Sequence, residues 1–113
     1  MKLIIAGGRN YEFTIKDLER LHCIHSVTPI SEVVCGNATG ADTEGRLWAD
    51  ANDIPIKRFP ANWKKHGRAA GPIRNAEMAA YADAVALFPG GKGTDNMAMQ
   101  AKKAGLTIFD FRK

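Results

Sequence analysis

The sequence lacks the segments that mark membrane-bound and secreted proteins. No apolar run approaches the roughly 20 residues that a helix needs to cross a bilayer. The apolar part of the chain's start, Leu3–Ala6, is also shorter than the core of a secretory signal peptide. These absences predict a cytoplasmic protein with no membrane partner.

Cysteine and histidine are scarce as well. Cys23 and Cys35 are the only cysteines and form no CxxC pair, so we expect both to be small apolar core residues in a reducing cytosol. His22 and His25 are three residues apart, His66 is isolated, and no His, Cys and Asp set has the spacing of metal ligands. The sequence therefore predicts no metal and no cofactor.

Two nucleotide signatures are missing too. The chain contains neither the GxxxxGKS/T phosphate loop nor the GxGxxG dinucleotide fingerprint. We therefore expect neither ATP hydrolysis nor ordinary NAD binding.

The composition that remains is that of one globular domain spanning residues 1–113. The chain is 45% hydrophobic and 25% charged, close to the average for folded soluble domains. Its formal net charge is +4, and basic side chains concentrate in residues 57–74. Such a cluster attracts anions, whether nucleic acid or phosphorylated small molecules, although a solvated basic face would have the same composition.

Short apolar runs alternate with segments of helical period along the whole chain. The predicted strands are Lys2–Ala6, Glu32–Cys35, Pro55–Phe59, Ala84–Phe88 and Thr107–Phe111. The predicted helices are Thr14–Ser26, Ala41–Ala51, Pro72–Ala82 and Thr94–Ala104, with Thr14 and Asp17 as the start signal of the first and Gly105 as the end of the last. This alternation is typical of an α/β fold with a mainly parallel five-stranded sheet.

Three of the loops that follow predicted strands are rich in glycine: 7–10, 36–42 and 89–94. In parallel sheets such loops meet at one edge, where ligands bind. Glycine lets a ligand approach the backbone, and a helix that begins there offers free N–H groups, which together suit a phosphate or carboxylate. One such loop is equally consistent with a purely steric need for glycine. Three loops that also carry Arg9, Lys92 and Thr94 favour a ligand site with a phosphate-binding loop at 90–94.

The polar segment 62–75 follows the third predicted strand and carries one large aromatic residue. Trp63 stacks on a base or, alternatively, covers the core. Arg74 and Asn75 are expected in the first turn of a helix, where an arginine opposes the helix dipole and so indicates an anion. The alternative is a structural ion pair between Arg74 and Glu77 on the same helix.

The predicted binding residues come from all of these loops. Asp42 either accepts hydrogen bonds from a ribose or caps the second helix. The full set is Gly7, Gly8, Arg9, Gly40, Asp42, Trp63, Arg74, Asn75, Gly90, Gly91, Lys92, Gly93 and Thr94.

In order and spacing, these motifs resemble the YspA-like branch of the SLOG superfamily, which also contains the LOG phosphoribohydrolases and DprA. The resemblance rests on Gly7-Gly8-Arg9, Gly36 with Thr39-Gly40-Ala41-Asp42, Pro60–Lys64, Gly67 with Ala70–Asn75 and Met78, and Phe88–Thr94. It implies a single Rossmann-like three-layer domain that binds a nucleotide or a nucleotide-derived small molecule in order to sense, sequester or process it.

The resemblance leaves enzymatic activity undecided. LOG enzymes combine an arginine, matched by Arg74, with PGGxGTxxE, and the glutamate of that motif falls at Met97. A thioether neither stabilises positive charge at the sugar nor activates water. The alternatives are therefore a LOG-like hydrolase that uses Asp42, and a DprA-like module that binds nucleic acid. Self-association into a homo-oligomer is a further expectation for so small a domain.

Overall fold

The computed structural model describes residues 1–36 and 40–112, and its five strands form one parallel sheet. The strands are β1 (Lys2–Ala6), β2 (Glu32–Cys35), β3 (Ile56–Arg58), β4 (Ala84–Leu87) and β5 (Thr107–Asp110). The helices are α1 (Ile15–Val27), α2 (Ala41–Ala51), α3 (Trp63–His66), α4 (Ala70–Tyr81) and α5 (Lys92–Ala104), with a 3₁₀ turn at Gly67–Ala69. The predicted α/β architecture is confirmed.

The sheet is buried on both faces, which explains why its central strands are continuous apolar runs. On one face, alternate residues of β1, Leu3 and Ile5, pack with residues of α1 and α2, namely Leu21, Ile24, Trp48 and Ala49. On the other face, Ile4 and Ala6 pack with residues of α4 and α5, namely Met78, Ala79, Met97 and Ala101. The domain therefore has three layers, with helices on either side of the sheet.

The strand order β3-β2-β1-β4-β5 reverses direction between β1 and β4. The strands β1, β2 and β3 are added successively towards one edge of the sheet. The next strand, β4, then pairs with the other side of β1. The loops after these two neighbouring strands touch, since Gly8 N donates to Pro89 O at 2.8 Å. The start of α2 joins them, because Ala41 N donates to Gly8 O at 3.1 Å. This reversal opens a crevice at the carboxyl edge of the sheet, where ligands of such folds bind.

The segment after β3 is helical, whereas the sequence predicted a long connection followed by a helix from Pro72. The side chain of Asn62 caps α3 by accepting from Lys65 N at 3.1 Å. The next long helix, α4, begins at Ala70, two residues before Pro72. Proline is tolerated there because the first helical turn needs no backbone donor. Arg74 consequently lies in the second turn of α4, and the expectation that it stands in the first turn was wrong.

Helix α1 begins as predicted, with a capping box that buries a carboxylate. Asp17 N donates to Thr14 Oγ1 at 3.1 Å, and Thr14 N donates back to Asp17 Oδ2 at 3.0 Å. The hydroxyl of Tyr11 adds a hydrogen bond to the same carboxylate oxygen at 2.5 Å. The two donors to its carboxylate, Thr14 N and the Tyr11 hydroxyl, explain how Asp17 is buried without destabilising the fold. At the other end of the chain, Gly105 ends α5 in the left-handed conformation, also as predicted.

Several apolar residues of α1 and α2 point away from the core. On α1, Leu21 and Ile24 are buried, whereas Ile15 is 77% exposed and Cys23, predicted as a core residue, is also exposed. On α2, Leu47 is exposed while its neighbour Trp48 is buried. The buried polar residues Asp17 and Asp42 occupy places that an apolar periodicity would not assign to the interior. No helix within residues 1–36 and 40–112 has the length and apolar character to cross a membrane.

Candidate functional site

A cleft of about 570 Å³ opens at the carboxyl edge of the sheet, where the strand order reverses. All the predicted binding residues line it except Gly40 and Gly90. The lining is Ala6, Gly7, Gly8, Arg9, Asp42, Trp63, Arg68, Gly71, Pro72, Arg74, Asn75, Met78, Gly91, Lys92, Gly93, Thr94, Asn96 and Met97. Five elements or their adjoining loops contribute, so the cleft exists only when the sheet and both helical layers are assembled.

Gly40 and Gly90 have packing roles outside the cleft lining. Gly40 has a φ of +72°, which other residues rarely adopt, and a Cβ there would collide with Gly8 O. A Cβ at Gly90 would lie 2.7 Å from Gly8 N and would collide with the hydroxyl of Thr94. These two glycines allow three loops to approach one another, and residues 37–39 of the second loop lie outside the described residues.

Gly91 and Gly93 differ from these packing glycines. A Cβ at either position would meet no atom within 4 Å, and neither residue has a positive φ. The fold therefore does not require glycine at positions 91 and 93. Both residues face the cleft at the start of α5, where the first N–H groups have no partner within the helix. Their lack of side chains leaves this backbone open to a ligand.

Thr94 supplies a hydroxyl at the same helix start. The residue is only 5% exposed, yet it lines the cleft. Its hydroxyl makes no hydrogen bond with any residue in the part of the chain that the structure describes. The oxygen is not among the buried unpartnered polar atoms of the described residues, so it reaches the cleft, where a polar group of a ligand would pair with it.

Arg74 reaches from α4 across the cleft towards β2. Its Nη1 donates to Gly36 O at 2.6 Å, and its Nε donates to Asn75 Oδ1 at 3.0 Å. Gly36 leaves room for this guanidinium, because a Cβ there would collide with Nη1. Among the described residues Arg74 forms no ion pair with Glu77, so the alternative pairing is wrong. Two hydrogen bonds thus hold the guanidinium at the cleft with its remaining donors available.

Asn75 connects α4 with the start of α5. Its Nδ2 donates to Asn96 Oδ1 at 3.0 Å and to Gly93 O at 3.3 Å, while its Oδ1 accepts from Arg74. The side chain is 5% exposed and is occupied by these protein contacts. Asn75 therefore positions both Arg74 and the glycine loop in addition to lining the cleft.

Asp42 is the carboxylate of the cleft. It is 8% exposed and accepts from Gly36 N at 3.1 Å. The N-cap of α2 is Gly40, which makes no side-chain capping bond, so Asp42 is not the cap of that helix. It lies in the first turn of α2, where the helix dipole stabilises a negative charge.

One wall of the cleft is apolar. Trp63 lines it and is 59% exposed, so the alternative in which this residue covers the core was wrong. The ring stands beside Gly71, where an added Cβ would lie 3.6 Å from its Cη2. Met78 and Met97 are almost fully buried and also contribute to the lining. A flat ring against this wall would retain van der Waals contact with Trp63.

The polar lining is strongly basic. Arg9, Arg68, Arg74 and Lys92 line the cleft together with a single carboxylate, Asp42. Arg68 belongs to the basic segment 57–74 but was missing from the predicted site. Asn96 and Met78 also line the cleft and were not predicted. The density of Lys and Arg around Trp63 was the available signal for Arg68. No group of three or more His, Cys, Asp and Glu side chains suited to a metal occurs within residues 1–36 and 40–112.

Comparisons with known proteins agree with this architecture. A family model described as the YspA, cpYpsA-related SLOG family matches residues 1–66. The Gene 61 protein of Mycobacterium phage D29 is 37% identical over 87 residues, which cover 70% of this chain and 70% of that protein. The X-ray structure of DNA processing protein A (DprA) from Streptococcus pneumoniae superposes with a TM-score of 0.71 at 15% identity, covering 96% of this chain. The present chain spans about half the length of that DprA chain, namely 49%.

Proposed function

Because the chain belongs to the YspA, cpYpsA-related SLOG family, we propose that it binds a nucleotide or a nucleotide-derived small molecule in the cleft. Family membership supports a nucleotide-related or nucleic-acid-binding role in general. The observation that carries the finer proposal is the open start of α5, where Gly91 and Gly93 leave the backbone accessible in the cleft that Arg74 also lines. A cleft of about 570 Å³ is also of the size that encloses a small molecule.

The phosphate of the ligand binds at the phosphate-binding loop Gly90–Thr94. Backbone N–H groups of the first turn of α5 donate to its oxygens, and the helix dipole favours its charge. The hydroxyl of Thr94 and the guanidinium of Arg74 complete this set. Arg74 suits the role because its side chain is already held by Gly36 and Asn75, so little side-chain entropy is lost on binding.

The nucleoside lies along the rest of the cleft. Asp42 accepts hydrogen bonds from the ribose hydroxyls, and Trp63 stacks on the base. Both side chains line the same cavity as the phosphate-binding loop, which is the arrangement that one nucleotide requires.

Binding without cleavage is the favoured form of this function. The position of the LOG glutamate is taken by Met97, which is 1% exposed and packs in the core. The alternative hydrolase would have to use Asp42, whose carboxylate is bound to Gly36 N on the β2 side of the cleft. Processing of the ligand by Asp42 is the second candidate.

A nucleic-acid-binding role is the third candidate. Trp63 and Arg68 line the cleft, and the exposed Lys64 and Lys65 follow Trp63 in the chain, so an aromatic platform lies in a basic segment. Phosphate contacts with DNA would make the affinity fall steeply with salt. A steep logarithmic salt dependence of single-stranded DNA binding, with weak mononucleotide binding, would favour this candidate over a nucleotide pocket.

Substitution of Gly91 tests the proposal. Purified protein is titrated by calorimetry with the 5′-mono- and diphosphates of adenosine, guanosine, cytidine and uridine. Gly91→Val places a branched side chain in open space, so the fold is retained while the ligand is blocked. We expect the affinity of the nucleotides that bind to fall by roughly tenfold or more, equivalent to about 1.4 kcal/mol.

Two variants control this experiment. Met99→Val changes an exposed side chain of the same helix that does not line the cleft, and it should leave binding unchanged. Gly90→Ala should instead lower the melting temperature, because its Cβ would collide with Thr94. A folded Gly91→Val protein that binds as tightly as the wild type would contradict the phosphate site, and wild-type protein that binds none of the eight nucleotides would contradict the proposed function.

A further inference from the structure

The cleft carries more positive charge than one monophosphate neutralises. Four basic side chains, those of Arg9, Arg68, Arg74 and Lys92, face one carboxylate, that of Asp42. The ion pairs within residues 1–36 and 40–112 involve Arg20 and Arg112 only, so the basic side chains of the cleft have no acidic partner in that part of the chain. The cleft therefore has a surplus of three positive charges in the absence of a ligand.

These charges come from separate parts of the fold. Lys92 and Arg74 adjoin the open start of α5, where the first phosphate is proposed to bind. Arg9 comes from the loop after β1, and Arg68 comes from the 3₁₀ turn before α4. A single phosphate at α5 uses the helix start, Thr94 and Arg74, and Arg9 and Arg68 then remain uncompensated.

We infer that the ligand carries two or more linked phosphates, as in a nucleoside diphosphate, and that Arg9 and Arg68 bind the second one. This inference rests on the proposed function, since it names the ligand class of the same cleft. A terminal phosphate carries up to two negative charges near neutral pH, and each further linked phosphate adds about one. A diphosphate thus matches the surplus of three charges, and arginine is the side chain best suited to bind its oxygens in pairs.

The linkage between phosphates separates this ligand from a nucleic acid. A phosphodiester chain places one charge on each nucleotide and spreads its phosphates along an extended backbone. A diphosphate concentrates its charge within one group, which suits basic side chains that line one cleft of about 570 Å³.

The test compares mono- and diphosphates of each nucleoside. Calorimetric titrations with the four pairs named above are carried out at 0.15 M salt, together with a single-stranded oligodeoxythymidylate. We expect at least one diphosphate to bind roughly tenfold or more tightly than its monophosphate, because the second phosphate adds charge-assisted hydrogen bonds.

Neutral variants then locate the second phosphate. Arg9→Gln and Arg68→Gln change exposed side chains, so the fold is retained. Each should weaken diphosphate binding more than monophosphate binding, so that the preference for the diphosphate falls severalfold. Arg58→Gln is the matched control, since this exposed arginine at the end of β3 does not line the cleft.

The outcomes distinguish this inference from the function on which it rests. Equal affinity for mono- and diphosphates overturns the inference and leaves the nucleotide site standing. An unchanged preference for the diphosphate in both Arg9→Gln and Arg68→Gln likewise overturns the inference and leaves the nucleotide site standing. If no nucleotide binds, or if the oligonucleotide binds far more tightly than every nucleotide, the proposed function itself fails.

Discussion

Removal of the Arg74 guanidinium perturbs both the fold and the site. In Arg74→Ala, Gly36 O loses a donor at 2.6 Å and Asn75 Oδ1 loses one at 3.0 Å. A hydrogen bond from a charged donor contributes about 1.5–3 kcal/mol when it is buried, but Arg74 is partly exposed and water can replace it. We therefore expect the free energy of unfolding to fall by about 1–2 kcal/mol in total, which leaves the protein folded.

The effect on ligand affinity is expected to be larger. The ligand loses a charge-assisted hydrogen bond in a cleft with an apolar wall, at a cost of about 1.5–3 kcal/mol. This corresponds to a rise in Kd of about 10- to 150-fold. Arg74→Lys keeps the charge and should recover only part of the affinity, because lysine cannot form two parallel hydrogen bonds to a phosphate.

The assay pairs calorimetry with urea unfolding, so that loss of binding is separated from loss of fold. The tightest-binding nucleotide of the wild-type protein is titrated into Arg74→Ala, Arg74→Lys and the control Glu77→Ala. Glu77 is exposed on the same helix and forms no ion pair with Arg74 within the described residues, so its removal should change neither quantity.

Two results would refute this reasoning. If folded Arg74→Ala binds the nucleotide as tightly as the wild type, the guanidinium does not contact the ligand and serves only to tie Gly36 to α4. If Glu77→Ala weakens binding as much as Arg74→Ala does, the loss is not specific to the guanidinium, because removal of a negative charge should by itself favour an anionic ligand.

Two further predictions concern alkaline stability and catalysis. Burial and the hydrogen bond to Asp17 raise the pKa of Tyr11 to about 12 from its ordinary 10.0, so this stabilisation is present in full below pH 10 and is lost as the pH rises through 12. The difference in unfolding free energy between wild type and Tyr11→Phe should therefore shrink from pH 9.5 to 12 in urea titrations, and a constant difference would contradict it. The protein should release no free base from AMP, GMP, CMP or UMP, because Met97 provides no carboxylate. Turnover near ~1 per second that is abolished by Asp42→Asn but not by Met97→Ala would instead establish the hydrolase.

The fold was predictable because its signals are local. Strands buried on both faces must be continuous apolar runs, and β1, β2 and β4 have that pattern. Parallel strands joined by helices place their following loops at one edge, so the meeting of the glycine loops also followed from the order of elements. The helix boundaries at Thr14 and Gly105 were predictable for the same reason, since each depends on residues within one turn.

The sequence determined which residues could form the cleft, but only the tertiary structure decided what each of them does. Gly90 and Gly91 are adjacent and identical in sequence, yet one is packed against Gly8 and the other opens to the cleft. Arg74 is bound to Gly36, 38 positions away, and not to Glu77 on its own helix. The local sequence pattern indicates helix and strand propensity and hydrophobic periodicity. The roles of Gly90, Gly91 and Arg74 depend instead on distances between residues that are remote in sequence. Those distances are set by how the two helical layers pack on the sheet.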